Sequence, residues 1–103
     1  MYNWVYILRC INHSLYTGST NDPYRRFTQH CNGKGAKYTR AFKPLAMVAC
    51  WQVIGDMGNA LKVESAIKKL SKKQKENLLK NQKNISNILN LKMQINISNC
   101  IKL

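Results

Sequence analysis

The stretch "LYTGSTNDPYRRFTQH", residues 15–30, runs from a strand into a helix within sixteen residues. "LYTGST" reads as the second strand of an antiparallel hairpin, and Gly18 allows a backbone conformation or a close approach that a side chain would prevent. "NDPYRRFTQHCN" reads as a helix. Asn21 or Asp22 can cap its N-terminus, and Pro23 suits the first helical position, where a missing N–H costs nothing. A fold needs only the turn and the helix start. The same stretch also carries Tyr16, Arg25, Arg26 and His30.

Upstream, "NWVYILRC" is apolar and rich in β-branched and aromatic residues, which predicts a buried strand, and "INHS" a turn. Downstream, "GKGAKYTRAFKP" reads as a Gly-rich basic loop ending at Pro44, and "LAMVACWQVI" as a long apolar third strand. "GDMGN" is a turn in which Asn59 is a fair N-cap. In "ALKVESAIKKL" the apolar residues Ala60, Leu61, Val63, Ala66, Ile67 and Leu70 recur at helical spacing. Ser71 can cap a further short helix, "KKQKENLLKN". The order β-β-α-β-α-α predicts an α/β (α+β) fold, with a small three-stranded antiparallel or mixed sheet flanked by helices.

The last twenty residues, "NISNILNLKMQINISNCIKL", change character: asparagine and isoleucine dominate and acids vanish. Ile85, Ile88 and Leu89 continue a helix face, whereas Met93, Ile95 and Ile97 alternate as a strand does. An appended element, an oligomer contact and a poorly ordered tail all fit that pattern. The composition shift puts a boundary near Asn81, dividing residues 1–81 from an extension of residues 82–103.

Charge narrows the function. Seventeen Lys and Arg face four acids, Asp22, Asp56, Glu64 and Glu76, for a net charge of +13 on 103 residues. Such a chain repels itself unless something anionic binds it, and nucleic acid is the commonest such partner. The lysine-rich helices could also meet acidic proteins or membranes, but "KKLSKKQKENLLKN" lacks the large aromatic anchors of a membrane-surface helix. Four cysteines, Cys10, Cys31, Cys50 and Cys100, show no CxxC pair, so a zinc-finger reading fails and buried apolar thiols are expected. No apolar run preceded by positive charge opens the chain, and nowhere do eighteen apolar residues stand together. The expectation is a cytoplasmic protein with reduced thiols and no membrane span, monomeric by default.

The residue types suggest phosphodiester hydrolysis. Tyr6 and Tyr16 lie on the two strands of the hairpin, and Arg26 and His30 are four apart on one helix face. Arg25 points elsewhere, toward a phosphate or solvent. Glu64 is the only acid within the apolar-periodic helix, with Lys68 four residues on as an ion-pair partner. A carboxylate holding Mg²⁺ or Mn²⁺ can polarise a phosphoryl oxygen. An arginine can clamp the transition-state oxygens. A tyrosine can take a proton from attacking water if its neighbours lower its pKa, and a histidine can relay that proton.

Spacing strengthens the reading. "WVY", ending at Tyr6, and "YTG", Tyr16 to Gly18, are separated by a short turn and followed by "GSTNDPYRRFTQH". In order and spacing, across residues 2–80, the chain resembles the GIY-YIG nuclease superfamily, particularly its compact stand-alone bacterial members. "GKGAKYTR" and "ALKVESAIKKLSKKQK" are similar to the corresponding stretches of that group. Residues 1–81 would then form a GIY-YIG-like nuclease domain. The resemblance implies Tyr6 as general base, Tyr16 positioning water or phosphate, Arg26 stabilising the phosphate charge, and His30 assisting Tyr6. Glu64 would be the single protein ligand of Mg²⁺ or Mn²⁺. Lys34, Lys37, Tyr38, Thr39 and Arg40, with Arg25, would line the nucleic-acid path. Two departures stand out: Trp4 replaces the glycine of the first motif, and no polar match follows the metal glutamate. The implied function is a metal-dependent DNA endonuclease acting on duplex, branched or single-stranded forms, in DNA repair or recombination, with RNA left open. The alternative is a non-catalytic nucleic-acid-binding module that retains the fold.

Overall fold

A computed structural model describes residues 3–98. Strands β1 (Asn3–Cys10) and β2 (Leu15–Thr20) form a hairpin, followed by helices α1 (Pro23–Cys31) and α2 (Lys37–Ala41) and by strand β3 (Pro44–Val53). Helices α3 (Met57–Lys68) and α4 (Lys72–Lys80) come next, then a 3-10 turn (Gln82–Asn84), helix α5 (Ile85–Leu89) and strand β4 (Ile95–Ile97).

The sheet is antiparallel throughout, in the order β2-β1-β3-β4. It therefore has four strands where three were expected. The fourth comes from the tail, where Ile95–Ile97 pairs with Val53–Trp51 and covers an edge of β3 that would otherwise offer unpaired backbone groups. Three residues of alternation are too short a signal to separate from the helical pattern just before them. That helical pattern is also realised, since Ile85, Ile88 and Leu89 all pack against the core from α5 or its edge.

β1 is buried on both faces because helices cover both. Val5 and Ile7 join Ala49, Trp51 and Val53 of β3 in packing against Ala60, Val63 and Ile67 of α3, Leu78 of α4 and Ile85. On the opposite face Tyr6 and Leu8 pack with Met47 and Cys50 against Phe27 of α1. Trp51 Nε1 donates to Gln82 O at 3.0 Å, which ties the segment after Asn81 to the middle of the sheet. Cys10 and Cys50 are buried, as expected for apolar thiols; Cys100 lies outside the described residues.

Two local readings are corrected. Lys37–Ala41 is a short helix, not loop; Gly33 and Gly35 interrupt the chain before it, and bonds from Arg40 N to Ala36 O and Phe42 N to Tyr38 O close its turn. Helix α3 begins earlier than Asn59 would allow as a cap. Asp56 caps it, accepting from Asn59 N at 3.1 Å, and Asn59 instead donates its side-chain amide to Ile54 O. Of the two residues the sequence offers for α1, Asn21 and Asp22, Asp22 is the cap, and Ser71 caps α4 as the sequence suggests, in a reciprocal capping box with Gln74. Among the described residues no helix is long and apolar enough to cross a membrane.

Candidate active site

Register decides which tyrosine goes where. Tyr6 sits opposite Gly18 and Leu8 opposite Tyr16, so both tyrosines project from the sheet face that α1 covers. A Cβ on Gly18 would stand 2.5 Å from the Tyr6 hydroxyl, which is why the second motif needs a glycine there. α1 then lowers His30 onto the same spot. Tyr6 Oη and His30 Nε2 are 2.8 Å apart, and both side chains are fully enclosed. Tyr16 packs its ring edge-on against His30, centroids 5.3 Å apart, and tilted against Tyr38.

Arg26, one turn before His30, is half-buried and held by a bond from its Nη1 to Gln29 Oε1 at 3.0 Å. Its guanidinium stands beside the pair, and its charge acts on both partners. Burial pushes the Tyr6 phenol well above the ordinary tyrosine value, the bond from Arg26 pulls it back, and the charges of Tyr16 and Glu64 add to the rise. Burial, with the Arg26 charge beside it, lowers the His30 imidazole to about 4, so it is neutral at physiological pH. A protonated phenol therefore faces a neutral imidazole.

Glu64 arrives from the other face of the sheet. It lies on α3 beside the β2 edge, where Ser19 Oγ donates to Glu64 Oε1 at 2.5 Å and Lys68 Nζ to Oε2 at 2.6 Å. β2 is an outer strand, and the Glu64 charge is felt at the Tyr6 phenol on the opposite face. A single positioned carboxylate suits Mg²⁺, which keeps most of its waters and takes the rest of its ligands from substrate phosphates. Among the described residues no group of three or more His, Cys, Asp or Glu forms a zinc-type cage. The donor set thus fits a hard, hydrated cation, with Lys68 giving up its ion pair.

The residues expected along a nucleic-acid path divide. Arg25, Lys34, Lys37 and Arg40 are exposed, on α1, the Gly-rich turn and α2. Tyr38 is half-buried; its hydroxyl bonds Asn12 and Ser14, so it braces the β1–β2 turn. Thr39 is buried and faces inward, its Oγ1 2.6 Å from His30 Nδ1 and 3.0 Å from Ala36 O. Trp4, at the first-motif glycine position, packs partly buried against the Tyr6 cluster.

Sequence reasoning missed Ser19, Gln29 and Gly35. Ser19 and Gln29 orient Glu64 and Arg26. A Cβ on Gly35 would overlap His30 Nδ1, so the loop after α1 can close over the imidazole only with glycine there. Spacing offered a signal for Gln29 alone, three residues after Arg26 on the helix that carries it. Ser19 and Gly35 meet their partners through tertiary folding.

Residues 2–77 match the family described as the GIY-YIG catalytic domain. A UPF0213 protein of Pectobacterium carotovorum is 51% identical over 80 residues, covering 77% of this chain and 79% of that protein. Another from Vibrio cholerae is 49% identical over 76 residues, 74% of this chain and 75% of its own. The solution NMR structure of a UPF0213 protein from Bacillus halodurans superposes with a TM-score of 0.53 at 43% identity, covering 80% of this chain and 86% of that one.

Proposed function

The chain belongs to the GIY-YIG family, and from that premise we propose that it is a divalent-metal-dependent endonuclease hydrolysing DNA phosphodiester bonds. One observation carries the reading: the buried Tyr6 Oη–His30 Nε2 hydrogen bond with the Arg26 guanidinium beside it. Binding alone needs no enclosed phenol–imidazole pair, and burying one costs desolvation that only its own bonds offset.

The proposed chemistry uses the pair as a relay. A water aligned by Tyr16 and the phosphate gives its proton to Tyr6 Oη while Tyr6 passes its own to His30 Nε2. No free phenolate forms, which matters because burial makes one costly. Arg26 stabilises charge on the non-bridging oxygens of the pentacovalent transition state. Glu64 would hold Mg²⁺ or Mn²⁺, which would supply neutralisation of the developing phosphoryl charge. Arg25, Lys34, Lys37 and Arg40 hold the backbone of the nucleic acid, which positions it without reading sequence.

The test is cleavage of labelled single-stranded, duplex and branched DNA with Mg²⁺, Mn²⁺ or EDTA. Wild type runs beside Arg26→Ala and Glu64→Ala, each checked for folding. Metal-dependent cutting reduced by about 10²–10³-fold in both variants is expected. Retained binding with no cutting on any substrate would point to the non-catalytic module, for which Glu64 is only the ion-pair partner of Lys68.

A further inference from the structure

We propose that Thr39 is a positioning residue that fixes His30 in its Nδ1–H tautomer and so leaves Nε2 bare to receive the Tyr6 proton. This rests on the relay reading of the same site. It follows from counting protons among enclosed groups, each of which must find an acceptor. The Thr39 hydroxyl has one hydrogen and two neighbours, Ala36 O at 3.0 Å and His30 Nδ1 at 2.6 Å.

Suppose first that the hydroxyl donates to Nδ1. Nε2 then carries the imidazole hydrogen and points it at Tyr6 Oη. The phenol would then accept from Nε2–H, and the Arg26 guanidinium beside it accepts nothing. The phenol's own hydrogen would be left without an acceptor in that pair of contacts, inside a site where Tyr6 and Thr39 are each 1% exposed and His30 0%.

The other arrangement satisfies every group. Thr39 donates to Ala36 O, His30 Nδ1–H donates to Thr39 Oγ1, and Tyr6 O–H donates to His30 Nε2. All three hydrogens then point one way, from the phenol inward. When water gives up a proton to Tyr6 Oη, the O–H bond of Tyr6 breaks and an N–H bond forms at Nε2. The imidazolium charge that results is shared with Thr39 through the Nδ1–H already in place. Gly35 lets the loop close over Nδ1, and α2 brings Thr39 to it.

The experiment is long-range ¹H–¹⁵N NMR of the imidazoles in wild type, Thr39→Val and Thr39→Ser, without metal or DNA, followed by cleavage kinetics. The expected wild-type signature for His30 is a protonated Nδ1 and a bare Nε2. Thr39→Val keeps the shape and removes the oxygen; it should shift His30 toward the Nε2–H form and lower kcat about 10²-fold at unchanged KM. Thr39→Ser should restore both. An Nε2–H signature in the wild type, or no change in Thr39→Val, overturns the proposal. If no substrate is cut yet the tautomer still depends on Thr39, the tautomer assignment stands and the nuclease reading falls.

Discussion

His30 is the residue on which the site turns, and its burial makes a measurable demand on stability. Its folded-state pKa of about 4 lies below the ordinary histidine value near 6.5 because burial, and then the Arg26 charge, oppose protonation. Above pH 6.5 neither state holds the proton and the shift has no effect. As pH falls toward 4 the unfolded chain takes a proton that the folded chain refuses, so stability drops, by about 3 kcal/mol at most. Urea unfolding at pH 7 and pH 4.5 should show wild type losing about 2–3 kcal/mol more than His30→Gln, which has no such group. An equal loss in the two would remove the buried neutral imidazole from the account. Tyr6, Tyr16, Arg26, His30 and Glu64 were legible in the sequence as candidates because motif spacing and helical periodicity are local properties. Thr39 looked like a surface residue of a basic loop. Its inward turn depends on Gly35 admitting the loop and on α2 forming, which nothing within a few residues announces.

At the scale of elements, α1 carries both Arg26 and His30, and its first turn is secured by Asp22, whose Oδ1 accepts from Arg25 N at 3.1 Å. Pro23 fixes the start of the helix without wasting a donor. Asp22→Ala should cost about 1 kcal/mol, seen as a lower urea midpoint at unchanged m-value, and should lower cleavage less than Arg26→Ala does. A fall in cleavage as deep as that of Arg26→Ala would mean that Asp22 serves the site directly. Ser71 was readable as a cap because it directly preceded a helical run, while at α1 the sequence narrowed the cap to Asn21 or Asp22 and the structure uses Asp22. At α3 the sequence pointed to Asn59, whereas the structure uses Asp56 for the helix and Asn59 for the turn. β4 was the least legible element, for a strand of three residues takes its identity from the edge it covers.

Across the whole molecule the four acids are all engaged internally: Asp22 and Asp56 cap helices, Glu64 pairs with Lys68, and Glu76 pairs with Arg9 at 2.8 Å. That leaves the surface strongly cationic, which the composition already implied, but the placement of that charge came only with the fold. Arg25, Lys34, Lys37 and Arg40 are exposed on α1, α2 and the turn between them, elements that also carry Arg26, His30 and Thr39. A body 35 Å in its longest dimension spans about ten base pairs of duplex, so several phosphates are within reach of one face. Binding carried by phosphate contacts releases counterions, and the logarithm of the affinity falls with the logarithm of salt by about 0.7–0.9 per phosphate neutralised. For Lys37→Ala/Arg40→Ala the slope of that plot should therefore be shallower by about 1.4–1.8 than in wild type, on every DNA sequence alike. Fluorescence anisotropy across a salt series, in EDTA to prevent cutting, measures it. An unchanged slope with weakened binding would mean that these side chains act by holding α2 in place, whereas a loss confined to one sequence would mean that they read bases.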